Sequence, residues 1–232
     1  MNNNITDKLV YQIASTIYSF FITNVYFMLV ISPFIFVFYF AEFTIQNILL
    51  YYITLLPFGP AYSALLKTMD KLVTDKLIAP TKDFWRFFRQ NFKQALLYWF
   101  VKSTIILILL VDIYYASLFA PFLQYVFFIL LFFMVLIMIY AFPILTRFEV
   151  GLKSLFVVSV YSVFRFVKVS LLNVTTVIAF GIIFYQFPSF ISLFLMSLIS
   201  FFMMYNLQGP LNLLRENFQK NETSQKDKQV KK

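Results

Sequence analysis

The side chains that most often carry out catalysis are missing from this sequence. It contains no Cys and no His, which excludes thiolate and imidazole chemistry and the metal sites that these groups form. Acid–base or nucleophilic catalysis would therefore depend on Asp, Glu, Lys or Tyr. No two of the ten acidic residues lie together inside an apolar stretch. The sequence predicts a protein that is not an enzyme and that has no cofactor and no metal site.

A proline-containing break in one apolar stretch is the first candidate for a binding site. If Gly59 is the N-cap and Pro60 the first helical residue, a short helix to about Lys67 begins inside the membrane. Its unpaired N–H groups would then point at a solute, as in the broken helices of transporters. The alternative is that small residues on this face let two helices pack closely. The residues of this hypothetical membrane-break site are Gly59, Pro60, Ala61, Ser63 and Lys102.

Lys102 is included because an ionisable side chain inside a membrane span is costly and usually has a function. It lies about seven residues past the predicted interface, roughly 10 Å deep at the helical rise of 1.5 Å per residue. The alternative is that its long stem lets the amine snorkel to the interface. Because no charge lies clearly at mid-membrane, an ion-coupled relay is not predicted.

The segment from Thr81 to Lys93 has the pattern of an amphipathic helix. Thr81 is the predicted N-cap, and Asp83 places a negative charge in the first turn. A helix with Phe and Trp on one side and Arg and Lys on the other is expected to lie flat in the interface before it turns into the next span. The functional interpretation is a surface for a partner, and the alternative is an anchor on anionic lipid. The predicted lipid or partner contacts are Trp85, Arg86, Arg89 and Lys93.

These residues must be positioned by helices in a bilayer. Of the 232 residues, 61% are hydrophobic and 12% are charged, whereas soluble domains have about 45–50% and about 25%. The predicted fold class is therefore all-α, a polytopic transmembrane helix bundle. A second amphipathic interfacial segment is expected between Glu149 and Lys168. Nucleic-acid binding is not predicted, since lipid occupies the aromatic face.

Six stretches reach the roughly 20 apolar residues that a membrane span needs. If the proline-containing second stretch does not cross, the bundle has five spans instead of six and the N-terminus is outside. The stretches are Ile17–Phe40, Phe43–Leu66, Ala95–Leu118, Phe122–Leu145, Ser170–Gln186 and Pro188–Leu207.

The 19 Lys and Arg residues fall mainly in three segments, at 67–93, at 147–168 and from 215 onward. Because Lys and Arg accumulate in cytoplasmic loops, these segments and both termini are predicted to be cytoplasmic. Residues 1–218 are predicted to form a single transmembrane helical domain. The polar, Lys-rich residues 219–232 are predicted to be a disordered basic cytoplasmic tail.

Several short motifs resemble the YesL-like family of bacterial membrane proteins. The resemblance runs from about residue 17 to 215, with a longer stretch between Asn24 and Gly59 than in many members. The motifs are Asn24-Val25-Tyr26-Phe27, Gly59-Pro60-Ala61, Pro80-Thr81-Lys82-Asp83-Phe84-Trp85, Asn91-Phe92-Lys93-Gln94-Ala95, Tyr140-Ala141-Phe142-Pro143 and Arg147-Phe148.

The resemblance implies an integral protein of the bacterial plasma membrane in a family without an established activity. Members of the family are often encoded beside ATP-driven carbohydrate uptake systems. This implies an accessory role in sugar uptake or its regulation, with a transporter subunit as the partner. The alternative function is a small-solute permease that binds its substrate at the broken helix. The oligomeric state is left open.

Overall fold

A computed structural model describes the backbone of residues 3–230 and the side chains of residues 10–219. This described part is helical, with turns between the helices and no strand. The helices are α1 (Asn3–Val30), α2 (Ser32–Phe40), a short 3-10 helix (Ile45–Asn47), α3 (Ile48–Leu55), α4 (Phe58–Asp75), α5 (Pro80–Phe119), α6 (Pro121–Arg147), α7 (Leu152–Arg165), α8 (Val167–Gln186), α9 (Pro188–Ile191) and α10 (Leu195–Val230).

Four helices within the described residues are long and apolar enough to cross a membrane. They are Val10–Val30 within α1, α5, α6 and α8, and a fifth span results if α3 and α4 with the preceding 3-10 helix count as one bent span. The all-α, membrane-spanning fold is thus confirmed, but the predicted count of six spans is not. The sixth predicted stretch, Pro188–Leu207, is interrupted by a turn at Ser192 before α10 begins. Only a short apolar run therefore remains in one helix.

Proline divides the first two predicted spans. Pro33 follows the break between α1 and α2, because a proline lacks the N–H that would continue the helix and restricts the residue before it. Pro57 likewise separates α3 from α4, and the axis bends there by 43°. The break that the sequence predicts between Pro57 and Pro60 is therefore present.

The predicted boundaries of α4 are wrong at both ends. The helix begins at Phe58 with Pro57 as N-cap, and it ends at Asp75 and not near Lys67. Pro60 does not have to be the first helical residue, since any position in the first turn tolerates its missing N–H. The helix continues past Lys67 because it keeps burying apolar side chains there, including Met69.

The predicted turn between a flat interfacial helix and the third span is also absent. Residues 80–119 form the single helix α5, which is about 60 Å long at 1.5 Å per residue. Its N-cap is Ala79 and not Thr81, and Asp83 Oδ2 accepts the Ala79 N–H at 3.1 Å. Phe84 is fully buried beside Tyr26, so part of the predicted lipid-facing stripe packs on protein instead.

The second predicted amphipathic segment contains α7, which packs against α6. Leu155 and Val163 are buried, whereas Phe156 and Tyr161 on the opposite side are exposed. α7 is therefore an amphipathic helix of the bundle, while its predicted place in the membrane interface stays a prediction.

The core forms around α4, which packs against α1, α5, α6 and α10. The Tyr62 ring stacks on Phe58 at 5.3 Å between ring centroids and meets Phe142 edge-on at 5.1 Å. Phe142 also meets the Tyr98 ring edge-on at 5.1 Å. These aromatic contacts join α4, α5 and α6 into one packed unit.

The two halves of the chain are joined by Asn24 of α1, which is buried. Its Nδ2 donates to the Ser192 carbonyl at 2.9 Å. Its Oδ1 accepts the N–H groups of Met196 at 3.1 Å and Ser197 at 3.3 Å. Since the first N–H groups of a helix have no intrahelical acceptor, Asn24 caps α10 from another helix. α10 then runs to Val230 and includes most of residues 219–232, whose predicted disorder stays a prediction.

Candidate functional site

An ion pair between α4 and α6 lies at the centre of a polar region. Arg147 donates from Nε to Asp70 Oδ2 at 2.8 Å and from Nη2 to Asp70 Oδ1. Gln208 of α10 accepts from the same guanidinium at 2.7 Å and donates to Asp70 Oδ1 at 2.9 Å. The relative exposure of the two charged side chains is only 16% and 14%. A bidentate pair of this kind fixes orientation as well as distance, so it holds α4, α6 and α10 in register.

A second cluster forms where α4 meets the start of α5. The buried carboxylate of Asp83 accepts from Lys71 Nζ at 2.8 Å and from Arg86 Nη2 at 2.9 Å. Asp83 was predicted to interact favourably with the helix dipole in the first turn of α5. The structure shows in addition that it pairs with two cations, which offset the cost of burying its charge. Together the two clusters bring parts of the basic segments 67–93 and 147–168 to the same part of the molecule, which we call the basic end.

A polar pocket of about 470 Å³ opens at the basic end. Gln94 spans one side of it and donates to the Val150 carbonyl at 2.8 Å. The Nδ2 of Asn91 is buried and has no hydrogen-bond partner within the described residues. The polar lining consists of Lys67, Gln90, Asn91, Gln94, Thr146, Arg147 and Glu149. The pocket therefore combines two cations, one carboxylate and several amides, a set that suits a polar or charged ligand and not a lipid tail.

The predicted contact residues of α5 are not among the residues that line this pocket. Arg89 and Lys93 are exposed, and neither forms an ion pair within the described residues. Arg86 is partly committed to Asp83, but its side chain is still 46% exposed, and its guanidinium lies 4.7 Å from the centre of the Phe87 ring. Trp85 is half-buried against Tyr26 and not a free surface anchor.

The predicted membrane-break site is packed against another helix. Gly59, Pro60, Ala61 and Ser63 are all buried on α4. A Cβ added at Gly59 would lie 2.7 Å from Trp99 Cγ and 2.9 Å from the Ala95 carbonyl oxygen of α5. The alternative interpretation, close packing by small residues, therefore fits the geometry better than a helix end that points at a solute.

Lys102 does not join the other members of that predicted site. It lies one helical turn after Trp99 on α5, and its amine donates to Met134 Sδ of α6 at 3.0 Å and not to a residue of the membrane break. Met134 is the fourteenth of the 27 residues of α6, about 20 Å along the helix from Arg147. The amine has therefore not snorkelled to the basic end, and the prediction of a buried charge describes it better.

Asp70 and Gln208 are the functional candidates that sequence reasoning missed. Asp70 is one of the few acidic residues in the basic segment 67–93, which is the one signal that could have singled it out. Gln208 has no such signal, because it takes part only through the packing of α10 on α4.

The fold and the polar end define a multi-pass α-helical membrane protein. Residues 20–113 of the chain match the family model described as "Protein of unknown function, DUF624". That family is the YesL-like family, so the match confirms the resemblance over residues 20–113. The motifs after residue 113 lie outside the match. No curated protein and no solved structure matches the chain significantly.

Proposed function

We propose that this chain is a non-enzymatic accessory protein of the bacterial plasma membrane and that its basic end binds a partner protein. The observation that carries the proposal is the polar pocket, and the helix that supplies its amides, α5, also bears the exposed cations Arg89 and Lys93. Polar groups that are not needed to hold the helices together are expensive in a membrane protein and usually have a function. The Nδ2 of Asn91 is such a group, because it is buried and has no hydrogen-bond partner among residues 10–219.

The chemistry of the surface favours an acidic partner segment. Arg89 and Lys93 lie four residues apart on one helix and project to the same side. An acidic peptide that pairs with both cations of α5 would also bring polar side chains to the basic end, where the pocket opens. The family resemblance alone supports a subunit of an ATP-driven sugar transporter as this partner. Anionic lipid is the competing ligand, since each Lys or Arg near an anionic leaflet contributes about 1 kcal/mol.

Site-specific crosslinking in native membranes tests the proposal. A photoreactive amino acid at position 89 or 93 is expected to capture a transporter subunit, because both positions are exposed. The matched control is position 115, which is exposed near the other end of α5 and is expected to capture none. If positions 89 and 93 yield only lipid or copies of this chain, the partner proposal is wrong.

The proposal also requires the basic end to be cytoplasmic, which the charge distribution supports. In intact cells, a membrane-impermeant lysine reagent should leave the exposed Lys93 unlabelled. The same reagent should label Lys93 once the membrane is permeabilised. Labelling in intact cells would place the basic end outside and contradict the orientation.

A further inference from the structure

Lys102 is a buried cation without a counter-ion. It is only 3% exposed, and it takes part in no ion pair within the described residues. Its amine donates to the thioether sulfur of Met134 at 3.0 Å, which is a weak acceptor. Burying an ammonium group costs several kcal/mol unless it is paired. A ligand that places a negative charge beside the Lys102 ammonium group would offset the cost of burying it.

A cleft of about 470 Å³ lies between α5 and α7 at this lysine. Its walls are apolar, with Ile105 from α5 and Phe156 and Val157 from α7. Phe156 and Val157 are also exposed, so the cleft opens toward the surroundings of the bundle. In a membrane these surroundings are lipid, which can therefore enter the cleft from the side.

Two further polar residues line the same cleft. Tyr98 lies one helical turn before Lys102, and its hydroxyl is buried without a hydrogen-bond partner in the part of the chain whose side chains are described. Lys153 of α7 is exposed at the edge. The residues that line the cleft thus carry two ammonium groups, which only donate, and one phenol, which can donate. The Tyr98 hydroxyl is covered and the Lys102 amine is turned toward Met134, so a ligand reaches these two groups by a shift of their side chains. The cleft lacks a strong acceptor and a negative charge, and a ligand must bring both.

We propose that the cleft binds an acidic lipid, an acyl chain that carries one anionic group. The acid accepts hydrogen bonds from the Lys102 amine and the Tyr98 hydroxyl, and the chain lies against the apolar walls. A carboxylate of a fatty acid and a phosphate of an anionic phospholipid share this chemistry. An uncharged lipid would leave the lysine unpaired, and a small inorganic anion would leave the apolar walls empty.

Equilibrium binding of radiolabelled palmitate to the full chain in dodecyl maltoside tests the proposal. Palmitate is expected to bind, and neither diacylglycerol nor inorganic phosphate is expected to displace it. Displacement by phosphatidylglycerol would identify phospholipid as a second source of the acid, and failure to displace would restrict the site to carboxylates. Absence of binding by both palmitate and phosphatidylglycerol would overturn the proposal.

Two substitutions tie the binding to this cleft. Lys102→Met keeps the length of the side chain and is expected to weaken palmitate binding by about tenfold or more, since it removes a charge-assisted hydrogen bond. Tyr98→Phe removes only the unpartnered hydroxyl, so it should weaken binding without lowering the melting temperature. Lys82→Met, at an exposed position on the first turn of α5, is the control and should bind as the unsubstituted chain does. Equal affinity in Lys102→Met and the control would show that the lipid binds elsewhere.

Discussion

The ion pair between Asp70 and Arg147 gives the sharpest test of how the basic end is held together. Replacing Arg147 by Gln removes both hydrogen bonds that the guanidinium donates to the Asp70 carboxylate. The Asp70 side chain is only 14% exposed in the structure. Breaking a fully buried pair costs about 3–5 kcal/mol, and exposed pairs contribute about 0–1 kcal/mol. This pair is mostly buried, but in Arg147→Gln the Asp70 carboxylate still accepts from Gln208. We therefore expect the free energy of unfolding to fall by about 2–3 kcal/mol, between these two limits.

The free energy of unfolding can be measured by SDS titration in mixed micelles, followed by Trp fluorescence, since Trp99 lies in the core. Arg89→Gln is the control, because Arg89 is exposed and surface substitutions usually stay within about 0.5 kcal/mol. A double-mutant cycle with Asp70→Asn should give a coupling free energy of at least about 1 kcal/mol between positions 70 and 147. If Arg147→Gln behaves like Arg89→Gln, the pair does not hold the helices together, and our account of the basic end is refuted.

Three further substitutions test the packing of the bundle. Gly59→Ala places a Cβ against Trp99 and should destabilise the protein by about 1–3 kcal/mol. Gly181→Ala is its control, because a Cβ there meets nothing within 4 Å. This control should be neutral or stabilising, since Ala favours the helix. Trp99→Phe removes the donor to the Leu55 carbonyl at 2.9 Å and should cost about 1–3 kcal/mol. Asn24→Leu leaves the start of α10 uncapped and should cost at least about 2 kcal/mol, since several buried backbone groups lose their partner. The same SDS titration measures these changes, with the half-buried Trp85 as the remaining fluorophore in Trp99→Phe.

Each of these expectations has a result that contradicts it. Equal stability of Gly59→Ala and Gly181→Ala would show that α4 and α5 are not in close contact at Gly59. An unchanged midpoint for Trp99→Phe would mean that the Leu55 carbonyl has another partner. If Asn24→Leu unfolds at the same SDS fraction as the unsubstituted chain, α10 does not depend on α1 for its cap.

The features that could be predicted from the sequence are those that depend on local chemistry. The apolar stretches give the long helices, because a span needs about 20 apolar residues in succession. Pro57 gives the bend in the second stretch, because a proline in the interior of a helix removes one backbone hydrogen bond and clashes with the preceding turn. The small residues around Gly59 offered two interpretations, and only the position of Trp99 on α5 decides between them.

The features that could not be predicted depend on which helices meet. Arg147 and Asp70 are 77 residues apart in the chain, and no periodicity in either helix identifies the other as its neighbour. The length of α4 was underestimated because its last turns are stabilised by burial against other helices and not by their own sequence. The sequence also leaves open whether the Lys102 amine is buried or snorkels to the interface. A depth counted along α5 does not indicate that the amine meets Met134 of α6.

The cap that Asn24 provides has a consequence for the order in which the protein is completed during synthesis. The Asn24 side chain caps the N-terminal end of α10, and it is made about 170 residues before the backbone N–H groups that it caps. During synthesis, the Asn24 amide of α1 therefore lacks its partners at Ser192, Met196 and Ser197 until α10 has been made. Shortened chains that stop before Ser192 would carry this amide permanently exposed to their neighbours, and we expect quality-control proteases to recognise them. The contact between α1 and the start of α10 thus needs residues from both ends of the chain, and it cannot form in a fragment that lacks either end.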